Sequence, residues 1–124
     1  MDKISKRDKS SFNINIEDKT ISNNNYREVL YTGSDLQLVV MSLKPKEDIG
    51  AEVHSDTDQF IRVEKGNGKA IIDEKEIKLS DGIAIIIPAG KEHNIINTSN
   101  KELKLYTIYS KPEHKDGLVE KNKK

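Results

Sequence analysis

Hydrophobic residues are concentrated in the middle of this chain, where they form short runs separated by turn residues. Between Tyr26 and Ser110 the runs are rich in Val, Ile and Leu. Gly, Asn, Asp or Pro interrupts them at intervals of roughly 8 to 12 residues, which is the spacing of strands in antiparallel folds. About nine short strands and no helical period predict an all-β barrel or sandwich.

Turn signals such as Thr32-Gly33-Ser34-Asp35 and Lys65-Gly66-Asn67-Gly68 set the limits of the predicted strands. The predicted strands are Arg27–Tyr31, Leu36–Leu43, Ala51–His54, Gln59–Glu64, Lys69–Ile72, Glu76–Leu79, the isoleucine run after Gly82, a short strand opened by His93, and Leu103–Tyr109. The segment 13–21 fits either a short edge strand or a single helical turn, and its pattern does not decide between them.

The chain divides into three parts by hydrophobicity. Residues 1–25 are a polar N-terminal extension, predicted to be partly disordered, residues 26–110 form the barrel, and residues 111–124 are a polar C-terminal tail. One stretch in the barrel, Leu36–Leu43, is apolar on both strand faces. Such a strand is covered on both sides, which predicts a homodimer unless the N-terminal segment of the same chain covers the outer face.

Composition excludes several classes of function. The chain has 124 residues, of which 34% are hydrophobic and 34% charged, and its formal net charge is +0. Interspersed charges of both signs predict no nucleic-acid partner, and the lack of an apolar segment predicts no membrane partner and a cytoplasmic location. Because the chain has no cysteine, a metal site must use histidine, carboxylate or amide ligands.

Three histidines, His54, His93 and His114, are the first candidates for chemistry. Glu52 and His54 are two residues apart on a predicted strand, so both side chains lie on one face. If Gln59 points the same way and His93 faces them across the barrel, four possible ligands converge. Two imidazoles, one carboxylate and an amide oxygen suit a divalent ion such as Zn, Fe, Mn or Ni.

The spacing of these residues resembles the two motifs of the cupin superfamily. The segment 82–97 matches the second motif, G-x5-P-x-G-x2-H-x3-N, at every defined position. The segment 46–66 has the spacing of the first motif, G-x5-H-x-H-x(3,4)-E-x6-G, but carries Lys46, Glu52 and Gln59 at the first glycine, first histidine and glutamate positions. The resemblance implies a single cupin barrel, also called a double-stranded β-helix or jelly roll.

The resemblance also implies a function. It identifies Glu52, His54, Gln59 and His93 as metal ligands and predicts a small-molecule enzyme, isomerase-like, whose metal acts as a Lewis acid on a sugar, uronate or other enolisable carbonyl compound. Glu52 can instead serve as a general base if it does not bind the metal. The alternatives are a metal-dependent dioxygenase, a cupin that binds a small polar or anionic metabolite without turnover, and a purely structural barrel whose polar residues only line a wet interior.

Further residues complete the predicted site. The barrel lining is predicted to be apolar and to consist of Ile61, Val63, Ile85, Ile87 and Ile95. Gln37, Met41 and Tyr109 are candidate substrate contacts, with ordinary packing as the alternative for each. His114 lies in a polar segment that resembles the close of small bacterial cupins, where a tail can fold over an opening; a solvated tail histidine is the alternative. Asn97 is predicted to be a turn or capping residue, and Asn94 to face outward.

Overall fold

A computed structural model describes residues 11–124, which fold into one helix and nine strands. These elements are α1 (Ile16–Ser22), β1 (Arg27–Thr32), β2 (Gln37–Leu43), β3 (Asp58–Lys65), β4 (Gly68–Ile72), β5 (Lys75–Leu79), β6 (Ala84–Ile87), β7 (His93–Asn97), β8 (Leu103–Ser110) and β9 (Val119–Glu120). No helix among residues 11–124 has the length and hydrophobicity needed to cross a bilayer.

The strands form two antiparallel sheets that enclose the core. The larger sheet has the order β6-β3-β8-β2-β1-β9, and the smaller has the order β5-β4-β7. Inward-facing residues of both sheets are fully buried, among them Val39, Ile61, Ile95 and Leu105. The predicted all-β cupin jelly roll is confirmed, and the predicted lining residues of the barrel belong to its core.

One predicted strand, Ala51–His54, is not a strand in the structure. Only isolated bridges are present in this region, one between Asp48 and Ile96 and one between Glu52 and His93. Between them the backbone takes a positive φ of 105° at Gly50, which breaks the ladder that a continuous strand needs. The bridge at Glu52 nevertheless keeps this segment against the edge of β7.

The segment 13–21, which fitted either a strand or a helical turn, contains most of helix α1. Asn15 caps the helix, since its side chain accepts a hydrogen bond of 3.0 Å from the backbone N–H of Asp18. Glu17 and Asp18 in the first turn are favourable near the helix N-terminus. Residues 1–10 of the extension 1–25, which was predicted to be partly disordered, lie outside the described part of the chain.

Helix α1 packs on the outer face of the large sheet, against β2, β8 and β3. Val40 on β2 is fully buried, and Lys104 on the neighbouring strand donates from Nζ to the carbonyl of Asn23, just after the helix. The N-terminal segment of the same chain therefore covers part of the face that suggested a homodimer. The homodimer itself stays a prediction.

The polar segment after β8 returns to the barrel. Strand β9 pairs with β1, with Arg27 opposite Glu120, and the Arg27 guanidinium forms a 2.6 Å ion pair with the Glu120 carboxylate. Nearer the end of the chain, Lys123 pairs with Asp48 at 3.0 Å. These contacts place residues 111–118 across one end of the barrel, beside the candidate site.

Candidate metal centre

Glu52, His54 and His93 meet at one end of the barrel, as the sequence predicted. Their side chains each offer one possible ligand atom, and these atoms lie within 4.8 Å of one another. Glu52 Oε1 is 3.4 Å from His54 Nε2 and 4.0 Å from His93 Nε2. Two ligands on one ion with bonds of 2.0–2.2 Å stand roughly 3 to 4.4 Å apart, so both distances suit a shared ion.

Backbone contacts hold the two motif segments together at this point. Glu52 and His93 exchange two backbone hydrogen bonds of 2.9 Å each. The turn before His93 contributes a third contact, since the N–H of Gly90 donates to the carbonyl of His54 at 2.8 Å. Gly90 has a φ of 88°, which glycine adopts without strain. The sequence therefore brings residues about forty positions apart into one site through main-chain pairing.

Each histidine turns the same ring nitrogen toward the centre. His93 Nδ1 is 3.0 Å from the carbonyl oxygen of Lys91, and His54 Nδ1 is 3.1 Å from the Glu113 carboxylate. An acceptor at Nδ1 favours a proton on that nitrogen and leaves a lone pair on Nε2. His54 Nε2 also faces Glu52 Oε1 at 3.4 Å, but the Glu113 oxygen at Nδ1 is the closer acceptor, at 3.1 Å. Both Nε2 atoms are buried and have no hydrogen-bond partner among the described residues.

Gln59 lies on β3, and its side chain is nearly fully buried. Its Nε2 donates to Thr107 Oγ1 at 2.9 Å, which fixes the amide so that the oxygen is the free end. Gln59 Oε1 is buried and also lacks a hydrogen-bond partner among residues 11–124. Gln59 pairs in register with Tyr109, whose ring contacts that of His54. Buried polar atoms are almost always paired, so a cation or a hydrogen-bond donor bound among these groups would satisfy the unpaired acceptors.

This donor set fits a divalent metal ion. Two neutral imidazole nitrogens, a carboxylate and an amide oxygen are ligands that Zn, Fe, Mn and Ni accept. The side chain of Glu52 is 34% exposed, whereas those of His54 and His93 are 12% and 4% exposed. Access from solvent is therefore on the Glu52 side.

Gln37, Met41, Tyr109 and His114, the further residues of the predicted site, take different positions. Met41 is 1% exposed and belongs to the hydrophobic core. Gln37 is fully buried, and its amide binds Thr32 and the backbone of residues 113–114. In this structure the amide is thus occupied by the protein's own chain. Tyr109 and His114 lie closer to the centre.

Tyr109 contacts both histidines next to it. Its ring lies edge-on to that of His54, with centroids 5.7 Å apart, and its hydroxyl is 3.3 Å from His114 Nε2. Burial raises the pKa of Tyr109 above its ordinary value. Burial also lowers the pKa of His114 to about 4, and the positive charge of Arg27 acts in the same direction. At neutral pH the tyrosine is therefore the donor and the neutral histidine the acceptor.

Sequence reasoning missed two groups that support the predicted ligands. Thr107 orients Gln59, and its inward position follows from the alternation of β8. Glu113 contacts His54 from the C-terminal segment, and no local pattern indicates a contact between residues so far apart in the chain.

The predictions for the two asparagines are confirmed: Asn97 Nδ2 donates to backbone carbonyls, including that of Leu43, and Asn94 lies outside the site and bonds Asp48.

A two-sheet antiparallel barrel with a His/Glu cluster at one end is the architecture of a cupin. The family model for the cupin domain, Cupin_2, matches residues 39–109. This match covers more than half of the chain, and the chain therefore belongs to the cupin family. The matched region contains every candidate ligand and ends before Glu113.

Two relatives are similar over most of this chain. Uncharacterized protein L612 of Acanthamoeba polyphaga mimivirus is 49% identical over 112 residues, which are 86% of this chain and 69% of that protein. Uncharacterized protein YrkC of Bacillus subtilis (strain 168) is 43% identical over 118 residues, which are 90% of this chain and 63% of that protein. This chain thus spans only about two thirds of the length of each.

A solved structure has the same fold over nearly its whole length. The crystal structure of BH2720 from Bacillus halodurans has 43% sequence identity and a TM-score of 0.89 to this chain. The match covers 91% of this chain and 90% of that one. The likeness therefore extends beyond the barrel into parts of the terminal segments.

Proposed function

We propose that this protein is a metal-binding cupin in which Glu52, His54, Gln59 and His93 hold one divalent ion. The observation that carries the proposal is the set of three buried acceptors without partners, His54 Nε2, His93 Nε2 and Gln59 Oε1. A buried acceptor without a donor costs about 1 to 3 kcal/mol. A cation shared by the three would remove this cost, whereas a purely structural barrel gives no reason to maintain it.

The proposed activity is that of a small-molecule enzyme, isomerase-like, acting on a sugar, a uronate or another enolisable carbonyl compound. When bound, the ion would supply Lewis-acid polarisation of a carbonyl oxygen. Glu52 is the most exposed of the three clustered side chains, so it is the one that a substrate would meet first. If Glu52 does not bind the ion, its carboxylate is placed to remove a proton as a general base.

The proposed partner is a small polar or anionic molecule. Arg27 supports this choice. Its side chain is 11% exposed and pairs with Glu120 through Nη1, while its Nε has no hydrogen-bond partner among the described residues. Its charge acts on Tyr109 and His114, both next to the candidate centre. A buried guanidinium with a free N–H favours a carboxylate or phosphate group on the ligand.

The proposed homodimer would bury an apolar row on the outer face of the large sheet. The strand registers place Ile86 beside Phe60, Phe60 beside Ile108, and Ile108 beside Leu38. Ile86 is 66% exposed. Light scattering on the wild type and on Ile86→Lys tests this, since a dimer formed through the row should become a monomer in the variant.

A cytoplasmic location stays a prediction from the sequence.

The metal proposal is tested by metal content. The protein is purified without an affinity tag, analysed by plasma mass spectrometry, stripped with a chelator and titrated with Zn, Fe(II), Mn and Ni. We expect one ion per chain, with tight binding lost in the double variant His54→Ala/His93→Ala. Neither a bound metal nor uptake on titration in the wild type would overturn the proposal.

The reaction class is tested with the metal-loaded protein. Isomerase activity predicts rearranged product from uronates or ketoses, in a reaction that consumes no oxygen. Oxygen uptake with enols or catechols in the iron-loaded protein would establish the dioxygenase alternative instead. A rise in melting temperature with a metabolite and no product would identify a binding protein.

A further inference from the structure

We propose that Glu113 is a positioning residue of the metal centre, which fixes the ring of His54 so that Nε2 is the metal-binding nitrogen. This inference rests on the proposed metal site. Glu113 lies outside the segment that matches the cupin family model, in the chain after the last long strand. It would extend the centre from the barrel to the C-terminal segment 111–118.

Both carboxylate oxygens of Glu113 are engaged. Oε1 is 3.1 Å from His54 Nδ1, and Oε2 accepts a hydrogen bond of 2.9 Å from the hydroxyl of Thr57. The side chains of Glu113 and His54 are 25% and 12% exposed, so solvent competes little for this contact. A carboxylate held at both oxygens fixes the orientation of the imidazole ring as well as its protonated nitrogen.

The backbone at Glu113 is also held, from inside the barrel. Gln37 Oε1 accepts from the backbone N–H of Glu113 at 3.0 Å and from that of His114 at 2.9 Å. Gln37 Nε2 donates to the carbonyl of His114 at 2.8 Å. Because the Gln37 side chain is fully buried, it is a fixed anchor, and the segment it holds carries Glu113 to His54.

The two histidines of the centre have different supports. His93 relies on the carbonyl of Lys91, two residues before it on the same turn. His54 relies on a carboxylate 59 residues later in the chain, on the C-terminal segment that follows the last long strand. A partner behind a metal-binding histidine typically changes metal affinity by 10–100-fold. Docking of segment 111–118 and metal binding should therefore favour each other.

The test compares Glu113→Ala and Glu113→Gln with the wild type. Zn affinity is measured by competition with a chromophoric chelator. Glu113→Ala should bind Zn roughly 10 to 100 times more weakly. Glu113→Gln keeps an oxygen acceptor for His54 Nδ1 and should recover part of the loss. Glu120→Ala is the matched control, because it removes a carboxylate from the same C-terminal region that bonds Arg27 rather than His54.

A second measurement does not depend on metal. Long-range ¹H–¹⁵N spectra of the metal-free protein, recorded where the imidazoles are neutral, report which nitrogen of His54 carries the proton. The wild type should show Nδ1–H, and Glu113→Ala should show a mixture of tautomers. Equal Zn affinity and the same tautomer in wild type and Glu113→Ala would overturn the inference, as would an equal loss in Glu120→Ala. If the wild type binds no metal, the metal proposal fails, and the tautomer still decides the role of Glu113.

Discussion

The two motif segments of the barrel differ in what their residues do. In segment 82–97 the defining residues mostly shape the backbone: Gly82 and Gly90 adopt positive φ, and Asn97 binds three backbone carbonyls. In segment 46–66 the departures from the family pattern at Glu52 and Gln59 fall on two of the four proposed metal ligands. Positions of the first kind therefore hold the backbone, whereas positions of the second kind decide which ligand atoms the candidate centre offers.

The largest effect is expected at His93, which both pairs with the backbone of Glu52 and offers a ligand atom to the proposed centre. His93→Ala removes a ligand from the proposed centre, so Zn affinity should fall by more than the roughly 100-fold expected for loss of a group behind a ligand. His114→Ala is the matched control, since this histidine contacts Tyr109 and is not among the proposed ligands. Chelator competition measures both. A His93→Ala protein that binds Zn like the wild type would remove His93 from the donor set.

The next effect concerns Asn97, which is fully buried. Its Nδ2 donates to the carbonyls of Leu43, Lys44 and Lys101 at 2.8 to 3.1 Å. Asn97→Ala should lower the free energy of unfolding by about 3 kcal/mol, because buried carbonyls lose their donor. Urea unfolding measures this, with the exposed Asn100→Ala as a control expected to change stability by less than about 0.5 kcal/mol. Similar stability of both variants would contradict a structural role for Asn97.

A smaller effect is expected from restoring the family residue at Gln59. If Gln59 and Glu52 share the ion as proposed, Gln59→Glu adds a second carboxylate to the centre, and the metal-free protein should lose about 1 to 2 kcal/mol of stability. The added charge should raise Zn affinity roughly tenfold. This gain corresponds to about 1.4 kcal/mol of binding free energy and offsets most of the lost stability when Zn is bound. Thermal unfolding with and without Zn measures both changes. If Gln59→Glu leaves Zn affinity unchanged, the Gln59 oxygen is not a ligand.

The sequence predicted the barrel well because its signals are local. Runs of alternating residues and turn glycines located eight of the nine observed strands, and motif spacing located Glu52, His54 and His93. The missing strand, β9, has only two residues and forms because it can pair with β1. Glu113 was missed for the same reason, since a contact between the C-terminal segment and His54 depends on tertiary docking. Local patterns cannot report such contacts.

The smallest expected effect separates backbone geometry from chemistry within segment 46–66. Lys46 occupies the first glycine position of the motif with a φ of 66°, a conformation that costs a residue with a Cβ about 1 kcal/mol. Lys46→Gly relieves that strain. It also raises the entropy of the unfolded chain and removes the hydrogen bond from Lys46 Nζ to the Thr98 carbonyl, and both of these changes lower stability. A net gain of about 0.5 kcal/mol is expected from urea unfolding, with Zn affinity unchanged.

The opposite exchange at Gly50 provides the control. A Cβ at Gly50 would meet no atom within 4 Å, and the φ there is 105°. Gly50→Ala therefore tests backbone strain alone and should destabilise the protein by about 1 to 2 kcal/mol. If Lys46→Gly also destabilises the protein, the Thr98 contact outweighs the strain. The contact with Thr98 would then compensate for the strain of a lysine at the family's glycine position. Segment 46–66 would in that case depart from the family pattern at a backbone position as well as at its proposed ligands.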